Sequence, residues 1–239
     1  MSWFDELLFP RRCPVCQDII GAWGKPICDT CREKPRLVGD KGCFKCGRLL
    51  QNEEKEYCAD CMRTKRCIIR SLTGFDYRDE WVHKMIFQVK YHNARQLLDY
   101  PCRAAAEEYQ DIVENWQCDC LIPVPLHSSK RRKRGFNQAE EIARRIAAVW
   151  ALPVDTKVLA RVKKTCPQKD LDRAARQENL ADAFAADENL ARIYSRVILV
   201  DDIYTTGSTM ESCAKALLAA GVQQVYGFAL SSGRDGVIM

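Results

Sequence analysis

The chain is poor in histidine. Only His83, His92 and His127 occur in 239 residues, and none has a spacing suited to a metal site or a catalytic triad. No apolar run reaches the 18 residues of a membrane-spanning helix. The opening Met1-Ser2-Trp3-Phe4-Asp5-Glu6 lacks the basic and apolar regions of a secretory signal. No general base or base-recognition loop stands out. These absences give the expectation of a cytoplasmic protein, where 14 cysteines point to metal rather than disulfides.

Eight cysteines fall in four Cys-x-x-Cys pairs: Cys13/Cys16, Cys28/Cys31, Cys43/Cys46 and Cys58/Cys61, each beginning 15 residues after the last. Two thiolates three positions apart grip one ion, and a second pair closes a tetrahedral four-thiolate site. Two structural Zn2+ ions follow. The sequential assignment joins the first four cysteines and the last four, and a cross-braced arrangement uses the same residues. A thioredoxin-like redox site needs one such pair, not four in register. About 50 residues with few large apolar side chains could not fold without metal. Eight thiolates and two Zn2+ take the formal net charge from +5 to +1. Cys67, Cys102, Cys118, Cys120, Cys166 and Cys213 stand outside the array and read as small buried apolar residues.

Further on, Val197-Ile198-Leu199-Val200 reads as a strand buried on both faces, followed by Asp201 and Asp202 at its end, a turn, and a helix beginning near Met210. Ligands bind beyond the C-terminal ends of strands in open α/β sheets, and helix N-termini receive anions. Thr205, Thr206, Gly207, Ser208 and Thr209 thus form a candidate phosphate cradle. Asp201 and Asp202 would face hydroxyls or a hydrated cation beside it. A ribose 5-phosphate such as phosphoribosyl pyrophosphate carries all these groups. The stretch resembles the ribose-phosphate signature of type I phosphoribosyltransferases. That implies an α/β fold with a parallel sheet over residues 67–239, and the cysteine array makes residues 1–66 a double zinc-ribbon module.

Between these parts lies most of the positive charge. Residues 121–180 hold 14 Lys/Arg against 6 Asp/Glu, a net +8, and the rest of the chain is −3. Helices are expected over Asp79–Lys90, Arg103–Val113 and Gln138–Trp150, with short strands before Asp76, at Leu121-Ile122, around Pro153–Leu159 and at Gln224–Leu230. Pro123-Val124-Pro125 occupies the place of a pyrophosphate loop, which makes Val124 and Pro125 candidates. Lys130-Arg131-Arg132-Lys133-Arg134 reads as an exposed mobile loop, because like charges repel. Lys90, Arg95, Arg131, Arg132, Arg134 and Arg173 could meet pyrophosphate or DNA phosphates. Phe136 is the aromatic best placed to stack on a base, and equally suits a core. Ser231–Met239 reads as a frayed tail.

Taken in order, the four cysteine pairs, Lys90-Tyr91-His92-Asn93-Ala94-Arg95, Pro123-Val124-Pro125, Arg134-Gly135-Phe136-Asn137-Gln138, Gln168 with Arg173, Asn179-Leu180 and Asp201-Asp202 resemble the ComF family of competence-associated proteins. Tyr91 and Asn93 stand where that family commonly has Phe and Gly. The resemblance implies natural transformation: handling of imported single-stranded DNA beside helicase and recombination partners, with binding of phosphoribosyl pyrophosphate and Mg2+. It implies no known reaction. The alternative is an active phosphoribosyltransferase that transfers the sugar to an unidentified acceptor and releases pyrophosphate.

Overall fold

A computed structural model describes residues 10, 12–20, 27–31, 36–52, 54–162 and 183–233. The Trp3–Phe9 piece and Cys166, Gln168, Arg173, Asn179 and Leu180 lie outside the described residues. The last cysteine turn carries Cys61 on helix α1 (Ala59–Arg63), and then come β1 (Ser71–Asp76), α2 (Glu80–His92), α3 (Asp99–Glu108) and α4 (Gln110–Trp116). The chain continues through β2 (Cys120–Pro123), α5 (Ser128–Arg134), α6 (Gln138–Trp150), β3 (Leu159–Arg161) and β4 (Phe184–Ala186). It ends with α7 (Glu188–Ala191), β5 (Arg196–Tyr204), α8 (Ser208–Ala219) and β6 (Gln224–Ser232).

The principal sheet is all parallel, in the order β1-β6-β5-β2. Its strands are apolar on both sides because both faces are covered. Ile198, Val200, Phe228 and Leu230 pack under α2, α3 and α6, while Val197, Leu199, Val225 and Ala229 pack under α8. The two cysteine groups divide the same way. Cys13 and Cys31 join the first core, and Cys43, Cys46 and Cys58 join the second.

Local chemistry sets the helix ends. Helix α6 spans the expected residues, capped by Asn137, whose Oδ1 accepts from Ala139 N at 3.2 Å. Its stripe of Ile142, Ala143, Ile146 and Trp150 is buried, and Trp150 Nε1 donates to Ala106 O at 2.9 Å. Helix α2 buries Trp81, Val82, Met85, Ile86 and Val89 and ends on Asn93 at φ 55°, the left-handed geometry that Asn tolerates.

Four expectations are corrected. The helix expected over Arg103–Val113 is two, starting at Asp99 with Pro101 in the first turn and breaking at Tyr109, whose buried hydroxyl donates to Thr73 O at 2.6 Å. The stretch at Pro153–Leu159 is not one strand: Val154 bridges Leu121 in parallel, whereas β3 pairs antiparallel with β4 in a separate sheet. Strand β6 runs through Ser231 and Ser232, both fully buried, so the tail does not begin at Ser231. The basic run 130–134 is not a loop but lies in helix α5. The His127 ring accepts from Ser129 N at its start, and Gly135 N closes on Arg131 O at its end. Capping at both ends, with no charge of the run fully buried, lets the helix form despite the repulsion.

Candidate functional site

The cysteines settle into two sequential groups, Cys13/Cys16/Cys28/Cys31 and Cys43/Cys46/Cys58/Cys61, with the four sulfurs of each within 4.8 Å of one another. The cross-braced alternative is therefore excluded. Cys16 Sγ to Cys28 Sγ and Cys46 Sγ to Cys58 Sγ are each 3.7 Å. A tetrahedron with Zn–S bonds of about 2.3 Å has edges of about 3.8 Å, so both groups fit zinc. Backbone N–H groups donate to sulfur in the second group, Cys58 N to Cys43 Sγ at 3.3 Å and Cys61 N to Cys58 Sγ at 3.4 Å, as thiolate ligands require. These are two four-cysteine zinc sites.

The remaining candidates gather at the C-terminal end of β5. That strand does not stop at Val200. It continues to Tyr204 because Asp201, Ile203 and Tyr204 pair with Ala229, Ser231 and Ser232 of the longer β6. Asp201 and Asp202 therefore lie within the strand and point to opposite faces.

Asp202 is buried beneath α2 and α6. Its Oδ2 pairs with Lys90 Nζ and receives Gln138 Nε2 at 3.5 Å. Burial would raise its pKa, but Lys90 outweighs this and holds it below the usual carboxylate range. Asp201 turns toward Cys213 and Arg161 on the other face. Burial and the adjacent Asp202 carboxylate raise its pKa well above the ordinary value, and its Oδ1 accepts from Asp202 N at 2.9 Å. The two carboxyls are thus driven apart in acidity by their surroundings.

The cradle follows. Gly207, at φ 79°, is the residue before α8, and a Cβ there would sit 2.2 Å from Tyr204 Oη and 2.7 Å from Arg66 Nη1. Gly207 offers no side-chain cap to the helix N-terminus. Thr206 Oγ1 lies 2.8 Å from Ser208 Oγ and accepts from Ser208 N at 3.4 Å. Thr205 and Thr209 are half-buried on either side. The arrangement can present N–H groups, hydroxyls and the positive end of a helix to an anion.

Cations crowd the same end of the sheet. Burial and the neighbouring Arg161, Arg134 and Lys90 lower the pKa of Lys130. Arg134 donates to Gln138 Oε1 at 2.5 Å and lies 5.9 Å from the Tyr91 ring centroid. Arg131 is 3.6 Å from Glu140 and largely exposed, and Arg132 is exposed. Val124 has a structural role: its N–H donates to Val200 O at 2.9 Å and its carbonyl accepts Asn137 Nδ2 at 3.0 Å. Pro125 follows, half-buried. Arg95 does not reach the cluster but pairs with Glu141 at 3.1 Å. Phe136 is a core residue, 7% exposed and covered by Arg95, which corrects its suggested stacking role.

Sequence reasoning missed Arg48 and Arg66, which reach the cradle from the second zinc site, and Asp60, which pairs with them. Arg48 Nη2 donates to Thr205 O at 2.6 Å, and Arg66 Nη2 donates to Thr206 O at 3.3 Å. These partners stand 157 and 140 residues apart, so no local signal could have found them. It also missed Gln138 and Arg161, although Gln138 belongs to the quoted Arg-Gly-Phe-Asn-Gln segment. Of the six cysteines outside the array, Cys102, Cys118, Cys120 and Cys213 are buried as expected. Cys67 is half-buried and donates to Glu211 Oε2 at 2.9 Å.

Residues 4–62 match the family model of the double zinc ribbon domain. The chain is 28% identical over 230 residues to Competence protein F of Haemophilus influenzae, covering 92% of this chain and 97% of that protein. It is 27% identical over 225 residues to DNA utilization protein YhgH of Escherichia coli K12, covering 92% and 96%. Against Competence protein ComFC of Bacillus subtilis it is 23% identical over 204 residues, covering 82% and 79%. The resemblance to the ComF family thus runs through nearly the whole chain. Among the described residues, no helix is long and apolar enough to cross a membrane.

Proposed function

From this ComF-like similarity we propose a role in DNA uptake, with phosphoribosyl pyrophosphate bound at the end of β5 and single-stranded DNA on the face beside it. In this reading the chain divides near residue 66 into a zinc-ribbon module and a type I phosphoribosyltransferase-like domain. The 5-phosphate sits on Thr205–Thr209. Asp202 and Asp201 serve the ribose hydroxyls and a Mg2+ ion, and Lys90, Lys130, Arg134 and Arg161 balance the pyrophosphate charge. One observation carries the reading. Four cations and two carboxyls of opposed acidity converge beside the N-terminus of α8 at a strand end.

The DNA part rests on an adjoining surface that shares Lys130 and Arg134. Phe87 and Tyr91 are 46% and 60% exposed on α2, with ring centroids 4.9 Å apart, and His92 lies 5.6 Å from Phe87. Arg134 approaches Tyr91 from α5, where Lys130 to Lys133 continue the positive charge. Exposed rings beside a basic strip suit a single strand, whose bases stack while its phosphates meet cations.

The test is calorimetric titration of zinc-loaded protein with phosphoribosyl pyrophosphate and Mg2+, beside Asp202→Asn. Saturable binding weakened in the variant supports the site, and no binding by the wild type refutes it. Anisotropy of a labelled oligonucleotide examines the second surface. Tyr91→Ala should weaken binding at every salt concentration, by about 1–3 kcal/mol for a lost base stack. Release of pyrophosphate on adding nucleobases, amines or oligonucleotides would favour the phosphoribosyltransferase alternative.

A further inference from the structure

The second zinc site touches the cradle at successive residues. Arg48 follows Cys46 by two positions, Asp60 lies between Cys58 and Cys61, and Arg66 follows α1. Arg66 Nη2 is 2.7 Å from Asp60 Oδ2, and Arg48 Nη2 is 3.9 Å from the same oxygen. All three side chains are nearly buried, at 10%, 13% and 4% exposure for Arg48, Asp60 and Arg66. Both guanidinium groups lie near the Tyr204 ring, at 5.7 and 5.8 Å from its centroid. From there they bind the carbonyls of Thr205 and Thr206, and Arg66 presses against Gly207.

Geometry gives these bonds a direction. In a trans peptide the N–H points away from the preceding C=O. Two carbonyls drawn toward the ribbon turn the N–H groups of Thr206 and Gly207 the opposite way, toward the anion position. The arginines therefore aim donors without touching the ligand. Their own position depends on the turns that the Cys43/Cys46/Cys58/Cys61 group closes, which fit zinc by sulfur spacing. The first site packs into the other core.

We propose that the second zinc ribbon governs the anion site: Arg48 and Arg66 are positioning residues that couple metal occupancy at Cys43/Cys46/Cys58/Cys61 to anion binding at Thr205–Thr209. The proposal rests on the anion-site reading above. Coupling between binding equilibria is reciprocal, so bound anion must raise the zinc affinity of this site by the same factor.

The experiment is equilibrium competition of the full, two-zinc protein against a colorimetric zinc chelator. It is run with and without saturating phosphoribosyl pyrophosphate and Mg2+, beside calorimetry on Arg48→Met, Arg66→Met and Arg12→Met. With the probe bound, one zinc should resist the chelator about tenfold more and the other should not change, a factor within the usual range of coupling. Arg48→Met and Arg66→Met, retaining two zincs, should each bind the probe about tenfold more weakly and lose the protection of that zinc. Their Thr206 and Gly207 amides should also exchange faster. Arg12→Met, on the first ribbon, should behave as wild type. Normal probe affinity in both cradle-facing variants, or a bound probe that protects neither zinc, overturns the coupling and leaves the anion site standing. A wild type that binds no probe overturns the site reading and the coupling with it. Should a variant lose zinc on purification, the wild-type competition decides alone.

Discussion

The two faces of the sheet are built alike and behave differently. Each carries one four-cysteine site and one of the adjacent aspartates. On the α2/α6 face, Asp202 is held as a carboxylate by Lys90, and two of the first site's cysteines, Cys16 and Cys28, are only half-buried. On the α8 face, Asp201 is pushed toward its protonated form. There only Cys61 of the second site is half-buried, and the ribbon sits hard against the sheet. Gly47 lets it do so: at φ 71°, a Cβ there would stand 2.8 Å from the backbone of Ser71, Leu72 and Thr73. Ser71 N also donates to Lys45 O at 2.8 Å. The difference teaches that identical ligand spacing does not imply identical duty. The first site packs into the core under α2, α3 and α6, and the second lies against β1 and backs the cradle through Arg48 and Arg66.

Removing a ligand should sharpen this contrast most. Cys46→Ser should lower zinc content from two equivalents to one and cost about 4 kcal/mol or more, as loss of a structural metal does. Cys13→Ser should lose the same equivalent of zinc at a smaller cost, read as a smaller shift in the urea midpoint. Equal midpoint shifts would break the comparison.

Next in size is Gly47→Ala, which brings a Cβ into sheet backbone at a left-handed φ. It should destabilise by about 2–3 kcal/mol, checked by thermal unfolding at fixed zinc content.

The aspartates should then respond with opposite signs. Asp202 has a lowered folded pKa, so its stabilisation is present above the ordinary carboxylate pKa and is lost as pH falls through the folded value. Asp202→Asn should therefore cost about 1–3 kcal/mol at neutral pH by leaving Lys90 unpaired, with the deficit shrinking in acid. Asp201 has a raised folded pKa, so the native state holds a proton that the unfolded chain releases, and stability falls as pH rises through that window. Asp201→Asn should raise stability by about 1 kcal/mol at neutral pH, with the gain vanishing below the ordinary carboxylate pKa. Matching signs in melting curves at neutral and acid pH would refute the division.

The smallest effect belongs to the exposed strip. Arg131→Ala should change stability by less than about 0.5 kcal/mol. In oligonucleotide titrations it should flatten the log–log salt dependence by roughly 0.7, the value of one phosphate contact on a single strand.

Periodic and repeated features were legible in the sequence. Helix α6 has the expected ends because its cap and apolar stripe are local, and the four cysteine pairs declare their chemistry by spacing alone. The turn at Thr205–Gly207 falls between strand and helix as expected. The opposed directions of Asp201 and Asp202 were legible in principle from strand alternation. They were missed because carboxylates after four apolar residues read as the strand's end, whereas pairing with β6 carries β5 onward. Helix α5 was hidden because charge repulsion argues for a loop, and its caps, His127 and Gly135, are weak signals. The reach of Arg48 and Arg66 to the cradle is purely tertiary, and nothing in either local segment encodes it.

Strand order has a consequence for how the molecule assembles. Strand β6 follows every other described strand in the chain, yet it lies between β1 and β5. Ser71 waits for Gly227, and Val197 for Val225. A nascent chain can load its metal turns early and can pair Leu37 with Phe75, but β1 lacks its parallel partner until β6 emerges. Until then its apolar face and the ribbon surfaces meant for the sheet stay open. Closing so long a loop is slow, so the last steps of folding should be rate-limiting and the waiting intermediate should be the species most exposed to aggregation.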